Sequence, residues 1–128
     1  MGELFIDDLD KLRHLLFHDP NDPSAKLAMP TSFEDARIIQ WLRAAEATAR
    51  VAWNPYLHNP RLPAHLRRVE CPSLVIWGRN DKLLPLAIGE FYAKHLTNSR
   101  LEVIDNCGHM LPFEKPAEFV AKTVEFLR

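Results

Sequence analysis

The pattern of apolar and polar positions changes about halfway along the chain. Before residue 69 apolar residues recur every three to four positions, as on one helical face, and residues 9–16 show this spacing most clearly. Beyond it, short continuous apolar runs alternate with helical periods, as when strands and helices alternate. We therefore expect a helical segment over residues 1–68 and an α/β segment over residues 69–128.

Start signals divide the helical segment into three helices. Asp7 or Asp8 can cap a first helix, and Asp22, followed by a proline, opens a short second one. Residues 31–34, Thr-Ser-Phe-Glu, have the pattern of a capping box and predict the start of a longer third helix. Residues 53–63 contain three prolines and are predicted to form a loop.

Two strands and two helices alternate in the α/β segment. Residues 73–77 and 100–104 are apolar runs that end at turn residues, with a predicted helix over residues 86–96 between them. A last helix starts at Pro116, and positions along it are predicted to form one apolar stripe: Phe119, Val120, Thr123, Val124 and Leu127. The first run does not alternate apolar with polar, so we expect it to be covered on both faces, as in a parallel sheet. The predicted fold class is α/β, with two parallel strands and flanking helices preceded by an all-helical segment.

Two strands are too few for a stable parallel sheet. Each outer flank would present unpaired backbone amides and carbonyls, which favour pairing with another chain. We expect the chain to be a fragment of a larger sheet, or to self-associate through exposed strand edges.

Composition and charge exclude several classes of partner. The chain is 47% hydrophobic, and its sixteen Lys and Arg residues are balanced by seventeen Asp and Glu, so no basic field favours nucleic acid. No apolar run reaches the roughly 18 residues of a membrane span, and no secretory leader pattern is evident. Cys71 and Cys107 belong to no C-x-x-C pair. We therefore expect a cytoplasmic protein without a membrane partner.

Two loops carry the candidate chemistry, because each directly follows a predicted strand. One contains Gly78 and Asp81, and the other contains Gly108 and His109. A carboxylate bonded to one imidazole nitrogen fixes the tautomer and leaves the other nitrogen free to take a proton from a nucleophile. Taken singly, Asp81 would tighten a turn and His109 would be a surface residue; together they favour a catalytic pair.

Both loops resemble those of the α/β-hydrolase family, where strand-Gly-x-x-Asp supplies the triad acid and Gly-His the triad base. The resemblance covers residues 69–128 closely, and residues 1–68 are more loosely similar to the family's helical lid. It implies that Asp81 orients His109, which acts as general base and then general acid. It also implies a cofactor-free hydrolase of a small, fairly apolar ester or related molecule.

The nucleophile is missing from the sequence. No Gly-x-Ser-x-Gly elbow occurs, and none of the four serines has a glycine two residues to either side. The serines are Ser24, Ser32, Ser73 and Ser99. The resemblance leaves two chemistries open: a serine elsewhere implies ester, thioester or carbon–carbon hydrolysis, and an aspartate implies dehalogenation or epoxide opening. Without nucleophile or oxyanion hole, we expect these residues alone to be inactive.

Other residues offer weaker functional hypotheses. A thiol nucleophile at Cys107 is disfavoured, because neighbouring loop residues such as Cys107 and His109 rarely aim their side chains at each other. Glu114 and Pro116 are expected to shape the start of the last helix, outside the site. The alternative to a hydrolase is a non-catalytic remnant or interaction module that pairs through an open sheet edge.

Two groups of residues in the helical segment could either form a functional site or have an ordinary structural role. His14 and His18 lie one helical turn apart near two aspartates, yet no third metal ligand is evident, so we expect no metal site. Three aromatic residues could line a substrate pocket, although core packing is the more common use of such side chains. They are Trp41, Trp53 and Tyr56.

Overall fold

The computed structural model describes residues 8–52 and 59–128 as alternating helices and strands preceded by helices. In chain order the elements are α1 (Leu9–Leu16), α2 (Pro23–Ala28), α3 (Ile38–Ala52), α4 (Leu62–Leu66), β1 (Ser73–Gly78), α5 (Leu86–His95), β2 (Ser99–Ile104), α6 (Leu111–Glu114) and α7 (Pro116–Leu127). The predicted α/β class, with two parallel strands and flanking helices, is confirmed.

The two strands pair in parallel, with Ser73 opposite Ser99 and Gly78 opposite Ile104. Helix α5 connects them and, like α7, contacts both. Parallel pairing brings both carboxyl ends to the same edge of the sheet, so the two loops that follow the strands start side by side. The expectation that β1 is covered on both faces is wrong, because residues 73–77 are only half-buried in the two-stranded sheet of the described chain.

The largest buried cluster lies in the helical segment. Its members are Leu9, Leu12, Leu16, Phe17, Ala25, Met29 and Ile38, with Leu83 and Met110 packed against it from the α/β segment. The predicted caps of the first two helices are confirmed: Asp8 accepts hydrogen bonds from the amides of Asp10 and Lys11, and Asp22 accepts one from Ser24. Among the described residues, no helix has the length and apolar character that crossing a bilayer requires.

The capping box predicted at residues 31–34 is wrong, since α3 begins only at Ile38. Asp35 organises this stretch instead, because its carboxylate accepts from the amides of Thr31 and Arg37. The Arg37 guanidinium bonds to Asp35 and to the last carbonyls of α2. Local side-chain hydrogen bonds therefore hold these residues in turns, in competition with the helix.

Two short helices were not predicted from the sequence. Helix α4 begins at Leu62, inside the predicted loop of residues 53–63, and it carries Pro63 in its first turn, where proline is tolerated. Residues 53–58 of that loop lie outside the described residues. Helix α6 precedes α7 and was likewise not predicted. The apolar stripe predicted along α7 is partly solvent-facing, with Val120, Val124 and Leu127 exposed.

Candidate active site

The acid loop, residues 79–85, holds Asp81 in a single orientation. The backbone amides of Leu83 and Leu84 donate to Asp81 Oδ1, at 2.9 and 2.8 Å. Trp77 anchors the far end of the loop, because its indole Nε1–H donates to the Leu84 carbonyl at 2.9 Å. The Asp81 side chain is 2% exposed. One carboxylate oxygen is therefore fixed by the backbone, and the other remains for a side-chain partner.

That partner is His109, whose Nδ1 lies 2.9 Å from Asp81 Oδ2. Because a carboxylate only accepts hydrogen bonds, Nδ1 carries the donated proton and the neutral ring has its acceptor at Nε2. The imidazole remains 33% exposed while the carboxylate is buried. The structure thus brings together the two residues that the sequence analysis singled out.

The acid loop and the histidine loop, residues 105–110, touch through their backbones. The Arg79 amide donates to the carbonyl of Ile104, the last residue of β2, at 2.9 Å. The Asn80 amide donates to the Cys107 carbonyl of the histidine loop, also at 2.9 Å. A Cβ on Gly78 would lie 2.1 Å from the Gly108 carbonyl oxygen, so no side chain fits there. The glycine of the Gly-x-x-Asp pattern permits this close approach.

The histidine loop bends sharply away from β2. Asn106 has φ of 50°, in the left-handed region that asparagine tolerates better than most residues. Cys107 and Gly108 are then buried beneath the acid loop. Together these features direct the next residue, His109, back towards Asp81.

Cys107 is unsuited to act as the nucleophile. Its side chain is fully buried. Burial raises the pKa of the thiol from 9.0 to about 12, and the Glu114 carboxylate adds to the rise. The thiol is therefore protonated at neutral pH, and only the thiolate is an effective nucleophile.

The other residues considered in the sequence take structural positions. No group of three metal-ligating side chains occurs within residues 8–52 and 59–128. His14 Nδ1 instead lies 2.8 Å from the Asp10 carbonyl oxygen. Trp41 packs, partly buried, against the helical cluster, and Trp53 and Tyr56 lie outside the described residues.

Sequence reasoning missed the contacts of Glu114. Its carboxylate accepts hydrogen bonds from the amides of Gly108 and Met110, on either side of His109, and from His18 of the helical segment. Glu114 and His18 are 96 residues apart in sequence, so no local pattern indicates this contact. By contrast, α7 has no side-chain cap at its start, where Glu114 was expected to act.

The family model for the alpha/beta hydrolase fold matches residues 8–116. This match covers most of the chain, including both loops. The chain belongs to the α/β-hydrolase family. The predicted family resemblance is therefore confirmed.

Relatives within the α/β-hydrolases have different named substrates. The chain is 28% identical to 2-hydroxy-6-oxononadienedioate/2-hydroxy-6-oxononatrienedioate hydrolase 2 of Pseudomonas putida over 96% of its length, but spans only 42% of that protein. It is 35% identical to a monoacylglycerol lipase of Rattus norvegicus over 52% of its length, spanning 20% of that protein. The chain therefore corresponds to less than half of each of these two relatives.

Among solved structures, one similar to this α/β-hydrolase chain is 2-hydroxy-6-oxo-6-phenylhexa-2,4-dienoate hydrolase from Rhodococcus. The two share 25% identity with a TM-score of 0.69. The match covers 98% of this chain and 47% of the Rhodococcus chain. Both the helical and the α/β segments thus have counterparts in one solved hydrolase.

Proposed function

We propose that this chain is the carboxyl-terminal part of an α/β-hydrolase in which Asp81 orients His109 as the catalytic base. The 2.9 Å contact between Asp81 Oδ2 and His109 Nδ1 carries the proposal. Asp81 cannot rotate away, because two backbone amides hold its other oxygen. The imidazole is partly exposed, as a group that exchanges protons with a substrate must be.

In this mechanism His109 Nε2 takes the proton of a nucleophile as that nucleophile attacks the substrate. The ring becomes an imidazolium, and the adjacent Asp81 carboxylate stabilises its charge. His109 then returns the proton to the leaving group. A cofactor is not needed for these steps.

The nucleophile and the oxyanion hole would come from residues outside these 128. The serines at the strands are engaged locally: Ser73 Oγ donates to the Cys71 carbonyl, and Ser99 Oγ donates to the Ala93 carbonyl. Neither lies on the strand-to-helix turn that exposes a nucleophile. The spans of 42% and 20% in the relatives leave ample length for the missing part.

The proposed substrate is a small apolar ester or a related molecule. The named relatives support different parts of this class: one is a lipase for monoacylglycerol, which is an ester, and another hydrolyses an oxo-dienedioate, a dicarboxylate that falls under the related molecules. We assign residues 1–68 to a lid over the substrate and residues 69–128 to the core. Cys71 and Cys107 are both free, which supports the reducing environment of the cytoplasm.

A chimaera tests the catalytic assignment. These residues replace the matching part of the Pseudomonas putida hydrolase, and hydrolysis of that enzyme's own substrate is measured. We expect His109→Ala and Asp81→Asn to lower kcat by about 10³-fold or more. His14→Ala is the control, because His14 is an exposed histidine of the helical segment. A His109→Ala chimaera with undiminished kcat would refute the proposal.

The isolated chain provides a complementary test. We expect no hydrolysis of an activated short-chain ester above that of the His109→Ala variant, because the nucleophile is elsewhere. Turnover that required one of the four serines would contradict the division of the active site proposed here.

The second candidate is an interaction module that pairs through an open sheet edge. It is favoured by one observation: residues 73–77 of β1 are apolar in the main yet only half-buried. Sedimentation of the 128-residue chain tests it, with self-association expected. A monomer with a sharp thermal transition would argue against this alternative.

A further inference from the structure

Three consecutive backbone amides, those of His109 and of the residue on either side, donate hydrogen bonds to acceptors elsewhere in the chain. The amides of Gly108 and Met110 donate to Glu114 Oε1 at 2.9 and 3.3 Å. The amide of His109, between them, donates to the Leu16 carbonyl at 2.8 Å. The backbone that carries the imidazole is therefore held on both sides.

The second oxygen of Glu114 reaches a different part of the chain. Glu114 Oε2 accepts from the His18 amide at 2.7 Å. His18 belongs to the crossing segment, residues 16–18, which passes directly over the histidine loop: a Cβ on Gly108 would lie 2.7 Å from the His18 nitrogen. One carboxylate thus joins the loop that carries His109 to the end of α1.

We infer that Glu114 is a positioning residue, which clamps the histidine loop against the crossing segment and thereby sets His109 opposite Asp81. Its catalytic consequence rests on the proposed function, while the clamp itself is a matter of backbone geometry. Hydrogen bonds to a charged carboxylate are stronger than those between neutral groups, which suits a residue that must hold three amides.

The requirement for a carboxylate follows from the donors it faces. All three neighbours are N–H groups, so both oxygens must accept. A glutamine has the same shape but replaces one oxygen by an NH₂ donor, which would face either His18 or the amides of the histidine loop. Glu114→Gln therefore breaks one arm of the clamp with little change in volume.

Amide hydrogen exchange in the 128-residue chain tests the clamp without reference to activity. In Glu114→Gln we expect faster exchange, by tenfold or more, at His18 or at both Gly108 and Met110. The NMR resonance of the His109 Nδ1 proton should shift or broaden as the loop moves. Glu118→Gln is the matched control, since Glu118 is an exposed glutamate in the first turn of α7.

Kinetic measurements in the chimaera test whether the Glu114 clamp affects catalysis by His109. We expect Glu114→Gln to lower kcat by about 10- to 100-fold, since small displacements of a catalytic group have effects of this size. KM should change less than threefold, and Glu114→Asp, which keeps two acceptors on a shorter stem, should recover part of kcat.

Either of two results would overturn the inference: unchanged exchange at all three amides in Glu114→Gln, or unchanged kcat despite faster exchange in a chimaera whose kcat His109→Ala does abolish. Failure of the proposed function is a separate result, because His109→Ala would then leave kcat intact while the exchange in Glu114→Gln still rose.

Discussion

The helical and α/β segments bury their side chains in different places. In the helical segment, seven apolar residues form one cluster, including the fully buried Phe17 and Met29. In the α/β segment, the buried apolar residues among those described are Ile104, which ends β2, and Cys107, which lies in the histidine loop. The only buried charged group among the described residues is Asp81. Packing in the α/β segment is thus tightest at the edge of the sheet that carries the candidate site.

The two segments are therefore stabilised by different kinds of interaction. The helical segment depends on side-chain packing, whose loss leaves a cavity. The site depends on backbone hydrogen bonds between the acid loop and the histidine loop, supported by the Glu114 carboxylate. The half-buried faces of the strands contribute less, and in our proposal they are covered by the missing core.

Truncation of Phe17 should have the largest effect on stability. Phe17 is 0% exposed, so Phe17→Ala should lower the free energy of unfolding by about 3–5 kcal/mol. The matched control is Phe33→Ala, since Phe33 is 58% exposed and should change it by no more than about 0.5 kcal/mol. Urea unfolding followed by tryptophan fluorescence measures both. Equal losses would show that the cluster does not stabilise the fold.

Substitution of Gly78 should have a smaller effect that is centred on the site. The Cβ of Gly78→Ala would meet backbone atoms of Gly108 and Cys107 at 2.1 and 2.6 Å, so the two loops must separate. We expect a loss of about 1–3 kcal/mol in urea unfolding and faster exchange at the Asn80 amide.

The control for this experiment is another buried glycine, Gly89 of α5. Its added Cβ would meet the Trp77 ring at 2.8 Å, so this clash involves one side chain and leaves the backbone of the histidine loop untouched. Alanine also favours a helix by about 1 kcal/mol over glycine. A greater loss for Gly89→Ala than for Gly78→Ala would contradict the role given to the loop backbones.

Removal of the α1 cap should have the smallest effect and should depend on pH. The pKa of Asp8 is lowered from its ordinary 3.8, chiefly by the hydrogen bond from the Lys11 amide. A lowered pKa in the folded state stabilises above pH 3.8, and this contribution is lost as the pH falls through the folded-state pKa. The decrease in Tm caused by Asp8→Ala should therefore shrink in acid.

Glu34→Ala is the comparison for the cap, because Glu34 belongs to the predicted capping box that the structure does not use. We expect its Tm to match that of the unchanged chain at every pH. A decrease in Tm as large as that of Asp8→Ala would show that residues 31–34 do support a helix.

Much of the α/β segment could be predicted because its signals are local. A continuous apolar run ending in Gly78 predicts a strand and a turn, and parallel strands place the following loops together. The caps at Asp8 and Asp22 are likewise short-range hydrogen bonds. The capping box failed because Asp35 and Arg37 offered stronger local alternatives that the pattern of residues 31–34 does not include.

The contacts across the site could not be predicted in the same way. The bond between Glu114 and His18, and that between His109 and the Leu16 carbonyl, join residues far apart in sequence. They depend on how the crossing segment lies over the histidine loop. The spacing of apolar residues in the sequence does not predict that arrangement. The solvent exposure of Val120, Val124 and Leu127 in the α7 stripe was not predicted for a related reason. Whether an apolar face is covered depends on which elements pack against it.

The two oxygens of the Asp81 carboxylate are bound to different kinds of donor. Since one is anchored by main-chain amides at the entry to α5, the direction in which the other points is inherited from the course of the polypeptide and not from the identity of surrounding side chains. Residues that line a substrate cavity could then differ between homologues, or be changed by design, while the His109 imidazole kept its orientation.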